Sequence, residues 1–250
     1  VGGWDESTWF SDVASSPAQR ETFARSCLDL IREHGLDGVD LDWEYPVSGG
    51  AAGVIHRPQD RENFTRLLQA IRKTLDSQSR RDGRDYVLSI AGAAGSGYLN
   101  CIEPRAVAEI VDHVFLMAYD FHGPWSAQAD FNAPLRPVSG GRYQGSVEGG
   151  IDGWLSRGVP AEKLVLGMPL YGYIFQGVGR AQDGLYSAFE SAVSVSWDKL
   201  KSGYLRQPGY RQLRHREAEV PYLAGNGRFI SYDDEISIAA KAELARSRGL

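Results

Sequence analysis

Asp37-Gly38-Val39-Asp40-Leu41-Asp42-Trp43-Glu44-Tyr45-Pro46 places an acidic residue at every second position from 40 to 44. Side chains of a strand alternate between its two faces. As a strand over Asp37–Tyr45, this run therefore turns Asp40, Asp42 and Glu44 to one face. Val39, Leu41 and Trp43 turn to the other, ready to pack on helices. Both faces of a parallel sheet are normally covered and apolar, so three carboxylates there are costly. Positions two apart lie roughly 6.6 Å apart at Cα, within reach of each other's side chains. Close carboxylates cannot all ionise cheaply, and one keeps its proton at a raised pKa. A carboxylic acid still protonated near neutral pH is what general acid catalysis needs. Glu44 is the longest of the three and sits at the C-terminal end of the strand, the catalytic end in a (β/α)₈ barrel. An exposed edge strand would not carry so apolar an opposite face. A metal site would need convergent ligands, and the histidines at 34, 56, 113, 122 and 215 are scattered.

Outward from this strand, helical and extended patterns alternate. Ser16-Pro17 introduces a helix over Ala18–His34, with Phe23, Cys27, Leu30 and Ile31 at helical spacing and Gly35 as its stop. Asp60–Leu75 is a second helix, with Phe64, Leu67, Leu68 and Ile71 on one face. Tyr86–Ala91, His113–Tyr119 and Leu164–Tyr171 read as strands. Pro104–Val111 and Gly145–Arg157 read as helices. Such repetition implies parallel βα units, in either a barrel or a doubly wound sheet. From about 172 to 230 the chain turns rich in Gly, Tyr and Ser, as an inserted subdomain would. A helix returns at Asp234–Arg248 behind the acidic cluster Asp233-Asp234-Glu235.

Composition bounds the function. The chain has 250 residues and a net charge of −5, which disfavours nucleic acid and anionic membranes as partners. Six Trp and twelve Tyr suit a carbohydrate site, where flat aromatic faces cover apolar sugar faces. Cys27 and Cys101 make no disulfide framework, and Cys27 is expected as a buried free thiol.

The run DGVDLDWEYP resembles the DxxDxDxE signature of glycoside hydrolase family 18, the chitinases and their relatives. Other stretches agree in order. Val1-Gly2-Gly3-Trp4 resembles the tail of the family's SxGG strand. Met117-Ala118-Tyr119-Asp120 resembles its MxYD motif, followed by Trp125. Leu166-Gly167-Met168-Pro169-Leu170-Tyr171-Gly172 resembles the seventh barrel strand, and Phe229-Ile230-Ser231-Tyr232-Asp233-Asp234 the return from the α+β insertion of subfamily A. Tyr173 departs from the pattern, since many relatives carry Arg after Tyr-Gly.

The resemblance implies a (β/α)₈ TIM barrel, partial in this chain, built from residues 1–171 and 231–250. The α+β insertion would span 172–230. The first two strands and the last would lie outside the sequence. It implies a secreted monomer that hydrolyses chitin and chito-oligosaccharides without metal or cofactor. Glu44 would be the general acid and base. Asp42 would orient the substrate's acetamido group, Asp40 would share charge with Asp42, and the Tyr119 hydroxyl would hold the acetamido oxygen. Gly3, Trp4, Tyr45, Met117, Asp120, Trp125 and Tyr171 would contact the sugar. Two rivals share the fold: a chitin-binding lectin, which typically loses the acid, and an endo-β-N-acetylglucosaminidase acting on glycoprotein glycans.

Overall fold

The computed structural model describes residues 1–140 and 145–250. Two compact units share the chain: Val1–Leu116 with Gly153–Val165, and Met117–Asp152 with Leu166–Leu250.

The first unit opens with helices α1 (Phe10–Ser15) and α2 (Pro17–His34). α2 begins as its sequence dictates. The Ser16 hydroxyl accepts from Gln19 N, and Pro17 occupies a first-turn position whose N–H would have no helical partner. Gly35 ends it at φ +64°, a left-handed conformation that glycine adopts without strain. Ala24, Cys27 and Ile31 carry the buried face, while Leu30 is 40% exposed. Leu30 lies about 100° round the helix from Ile31, off the line of Ala24, Cys27 and Ile31. Cys27 is buried and Cys101 is unbridged. Burial pushes the Cys27 thiol up to about 11.

Strand β1 covers Gly38–Leu41, shorter than the expected Asp37–Tyr45. Asp42 prolongs it by a single parallel bridge to Gly2, and the Glu44–Tyr45 peptide is cis. The predicted alternation survives beyond the ladder: Val39, Leu41 and Trp43 are all buried. Trp43 stacks on Phe10 of α1 at 5.5 Å and meets Phe64 edge-on at 5.6 Å. Phe64 belongs to α3 (Asp60–Asp82), which runs past the expected end at Leu75 to a left-handed Gly83. β2 (Val87–Ala93) lies parallel to β1, pairing Gly38 with Val87 and Asp40 with Ser89. A Cβ at Gly38 would fall 2.0 Å from the Val87 carbonyl oxygen, so only glycine permits this approach.

The chain continues through α4 (Ser96–Asn100), which the sequence did not signal, α5 (Pro104–Ile110), β3 (His113–Met117), α6 (Val147–Leu155) and β4 (Leu164–Leu166). The sheet order β1-β2-β3-β4 follows the chain without reversal. That order suits a barrel segment, whereas a complete doubly wound sheet reverses at its switch point.

The expected strand Leu164–Tyr171 is in fact two. β4 ends at Leu166, and Tyr171 begins β5 (Tyr171–Gln176) in a different sheet. Pro169 lies between them and has no N–H to give a ladder. β5 belongs to the second unit, with β6 (Ser191–Ser196), helix α7 (Trp197–Ser202), β7 (Tyr210–Arg214), β8 (Pro221–Gly225) and β9 (Arg228–Ser231). The sheet runs β6-β5-β9-β8-β7, antiparallel at each contact. Period-2 alternation sends Tyr173, Phe175 and Phe229 into one apolar cluster and Ile174, Leu223 and Ile230 into another. Helix α8 (Glu235–Ser247) is capped by Asp234 in a reciprocal pair with Ser237. Asp233 does a different job: its Oδ1 meets the fully buried Lys241 Nζ at 2.5 Å. No helix among the described residues is long and apolar enough to cross a membrane.

Candidate active site

The acidic line lies in the first unit. The segment Val1–Gly3 runs alongside it: Asp42 N donates to Val1 O at 2.9 Å, and Gly3 N donates to Asp42 O at 2.7 Å. A Cβ at Gly2 would fall 2.2 Å from Asp42 O, and Gly2 has φ +105°, so glycine is required there. Gly3 passes over the acid itself, since a Cβ there would stand 3.8 Å from Asp42 Oδ2. Trp4 is 52% exposed and is tied to the carboxylates by no hydrogen bond or ring contact among the described residues.

Each carboxylate has its own surroundings. Asp40 Oδ1 accepts from the Ser89 hydroxyl at 2.6 Å, a bond set by the β1–β2 register. Asp42 Oδ1 is buried and accepts no hydrogen bond among the described residues. Burial, followed by the Asp40 charge, raises the Asp42 pKa above the usual carboxylate range. Glu44 is buried, and its backbone N–H donates to Ser7 Oγ at 2.8 Å. Tyr45 is raised above its ordinary value by burial first, then by the neighbouring Glu44 carboxylate. The Tyr45 ring meets Tyr98 edge-on at 5.6 Å. The buried Tyr98 hydroxyl has no partner among the described residues, and burial with the Asp42 and Glu44 charges raises its pKa.

The second unit holds the remaining predicted residues. Met117 and Tyr119 are half-buried and Asp120 is exposed. Asp120 adopts φ +58°. Tyr119 meets the Tyr171 ring edge-on at 6.2 Å, and Tyr171 Oη donates to Asp120 Oδ1 at 2.5 Å. The same oxygen accepts from Tyr173 Oη at 2.9 Å. Trp125 is 62% exposed and meets Tyr173 edge-on at 5.7 Å. The structure thus groups Tyr119, Asp120, Tyr171 and Trp125, joining them through Tyr173.

Three supporting residues escaped the sequence reading. Ser7 is fully buried and bonds to Gly3 O, Asp42 O and Glu44 N at once. Ser89 holds Asp40. Asn132, also buried, accepts from Asp120 N at 2.9 Å and donates to Tyr171 O at 3.3 Å. Only Ser89 left a signal, since it sits on the strand after the acids. Among the described residues no group of three or more His, Cys, Asp or Glu is arranged to hold a metal ion.

The description "Glycosyl hydrolases family 18" matches residues 1–250. The chain belongs to this family. Chitinase A1 of Niallia circulans is 43% identical over 267 residues, an alignment covering 100% of this chain and 38% of that protein. Among solved structures, chitinase ChiA74 from Bacillus thuringiensis superposes at TM-score 0.96 with 35% identity, over 100% of this chain and 44% of that one. A family 18 N-acetylglucosaminidase from Paenibacillus barengoltzii gives TM-score 0.96 with 36% identity, over 100% and 74%. This family 18 chain therefore spans well under half the length of Chitinase A1. Its α/β fold is consistent with a partial (β/α)₈ barrel, as the family resemblance implied.

Proposed function

We propose that this chain is the catalytic part of a retaining chitinase, with residues 172–230 as an insertion in its barrel. The observation that carries the reading is the intact acid line, in which Asp42 Oδ1 is buried without a donor among the described residues. An acetamido N–H is a donor of the right kind for that atom. In this mechanism the substrate's acetamido carbonyl oxygen attacks C1 while Glu44 protonates the leaving oxygen. Asp42 orients the N–H and balances the positive oxazolinium, and Asp40 shares charge with Asp42. Glu44, now ionised, activates the water that opens the intermediate, so configuration is retained. The MxYD motif supports Tyr119 as the group on the acetamido oxygen. Gly3, Trp4, Tyr45, Met117, Asp120, Trp125 and Tyr171 are proposed sugar contacts. Secretion and a monomeric state belong to the same proposal, supported by the resemblance.

Glu44→Gln in the full-length protein tests the role of the acid. It should lower kcat on N-acetyl chito-oligosaccharides by about 10²–10⁴-fold while leaving binding of the same sugars in place. A variant that keeps more than roughly half its activity removes Glu44 from that role, since no general acid is so dispensable. Release from chito-oligosaccharides but not from high-mannose glycoprotein separates this reading from a glycan endo-glycosidase. Binding without cleavage would make the protein a lectin. A second activity has a specific support in the Paenibacillus barengoltzii likeness: an N-acetylglucosaminidase would release monomers rather than longer products.

A further inference from the structure

Among the described residues, the hydrogen bonds of Asp120 are all with neutral groups. Its Oδ1 accepts from Tyr171 Oη at 2.5 Å and from Tyr173 Oη at 2.9 Å, and its backbone N–H donates to Asn132 Oδ1. No Lys, Arg or His forms an ion pair with it among the described residues. Burial, and then the bond to Asp120, keep the Tyr171 phenol above its ordinary value; Tyr173 is raised by burial and then by the Asp120 charge. Both hydroxyls therefore stay protonated as donors across the neutral range, and neither brings a positive charge. Asp120 is exposed to solvent.

Tyr173 also sets the neighbouring aromatic surface. It is 7% exposed, and its ring meets the Trp125 indole at 5.7 Å and 84°. Beneath the indole lies Gly123, where a Cβ would fall 2.5 Å from the ring. One buried residue thus holds both an unpaired carboxylate and an exposed indole. An Arg at this position would bond bidentately to such a carboxylate and cancel its charge.

We propose that Tyr173 fits this site to partly deacetylated chitin, by leaving Asp120 as an anion that receives the ammonium of a glucosamine unit. The Trp125 face supports the same ligand, since an indole attracts both a sugar's apolar face and a cation. The inference rests on the chitinase reading above. It adds a preference for a cationic sugar at a position other than the one whose acetamido group attacks, because that sugar must keep its N-acetyl.

Digestion of randomly deacetylated chitosan by the full-length protein, with product sequencing by mass spectrometry, tests it. Glucosamine should be enriched at one fixed position relative to the cut, by roughly two- to five-fold, the range of an exposed ion pair. The enrichment should fade as salt is added. Tyr173→Arg should abolish it, and Tyr173→Phe, which adds no charge, should retain it. The ratio is internal to each digest, so a slower variant still reports. Where the arginine variant fails to fold, the salt dependence of the wild type and the phenylalanine variant decide. Cleavage of acetylated oligosaccharides without positional enrichment, or an enrichment indifferent to salt or to arginine, overturns this inference alone. Failure to cleave either substrate overturns the chitinase reading and this inference with it.

Discussion

At Asp42 two effects act in the same direction. Burial withdraws water from the carboxylate, and Asp40 two positions away adds a like charge, so the pKa is raised. A carboxyl raised in the folded state contributes stability that is fully present below its unfolded value and is lost as pH rises through its folded value. Asp42→Asn removes that titration. The melting temperature of the variant relative to wild type should therefore rise between about pH 3 and pH 7, from below the ordinary aspartate range to well above it. Thermal melts at the two ends of that window check it, and a flat difference would show that Asp42 stays ionised at no cost. Activity should fall in the same variant, since the carboxylate that strains the fold is the one assigned to the acetamido group.

Elements differ in how clearly the sequence announced them, and the differences have physical causes. α2, α3 and the acid strand carry clear apolar periodicities, and each is present where the spacing places it, although α3 runs on to Asp82 and the strand's ladder stops at Leu41. The strands after Gln176 were legible only as an insertion. β6 and β7, at the two ends of the antiparallel sheet, are mostly exposed on both faces, so no alternation marks them. Ser7 and Asn132 were invisible for another reason. Each is a lone polar residue whose partners lie far along the chain, 35 positions away for Asp42 and 99 for Ser231. Their importance is testable at this scale. Asn132 joins the end of the Met117–Asp120 segment to the start of β5. Asn132→Ala strips both bonds from a buried position and should cost about 1–3 kcal/mol in denaturant unfolding. It should also lower activity beyond the loss of folded protein, because Asp120 and Tyr171 would no longer be held in register. An unfolding midpoint equal to wild type would show that the loop is fixed by other contacts.

At the scale of the whole molecule, the open question is which atom attacks the sugar. A retaining glycosidase with a protein nucleophile sets two carboxyl groups on either side of the scissile bond, about 5–5.5 Å apart. Here the acids gathered on one line are Asp40, Asp42 and Glu44, and the proposed mechanism gives Glu44 the proton role. Asp42 is the nearest alternative, but it stands two residues from Glu44 along the same strand rather than across the bond. An attack by the substrate's own acetamido group needs no second carboxyl group opposite Glu44. It does need an N-acetyl on the sugar at the non-reducing side of the bond being cut. Glucosamine there offers an amine and no carbonyl oxygen, so the first step has no nucleophile. On partly deacetylated chitosan every new reducing end should therefore be N-acetylglucosamine, whereas the new non-reducing ends should include both sugars. Mass-spectrometric sequencing of the products reads this directly. Abundant glucosamine at new reducing ends would require a protein nucleophile, and Asp42 would then have to leave the role of orienting the acetamido group and become the attacking residue.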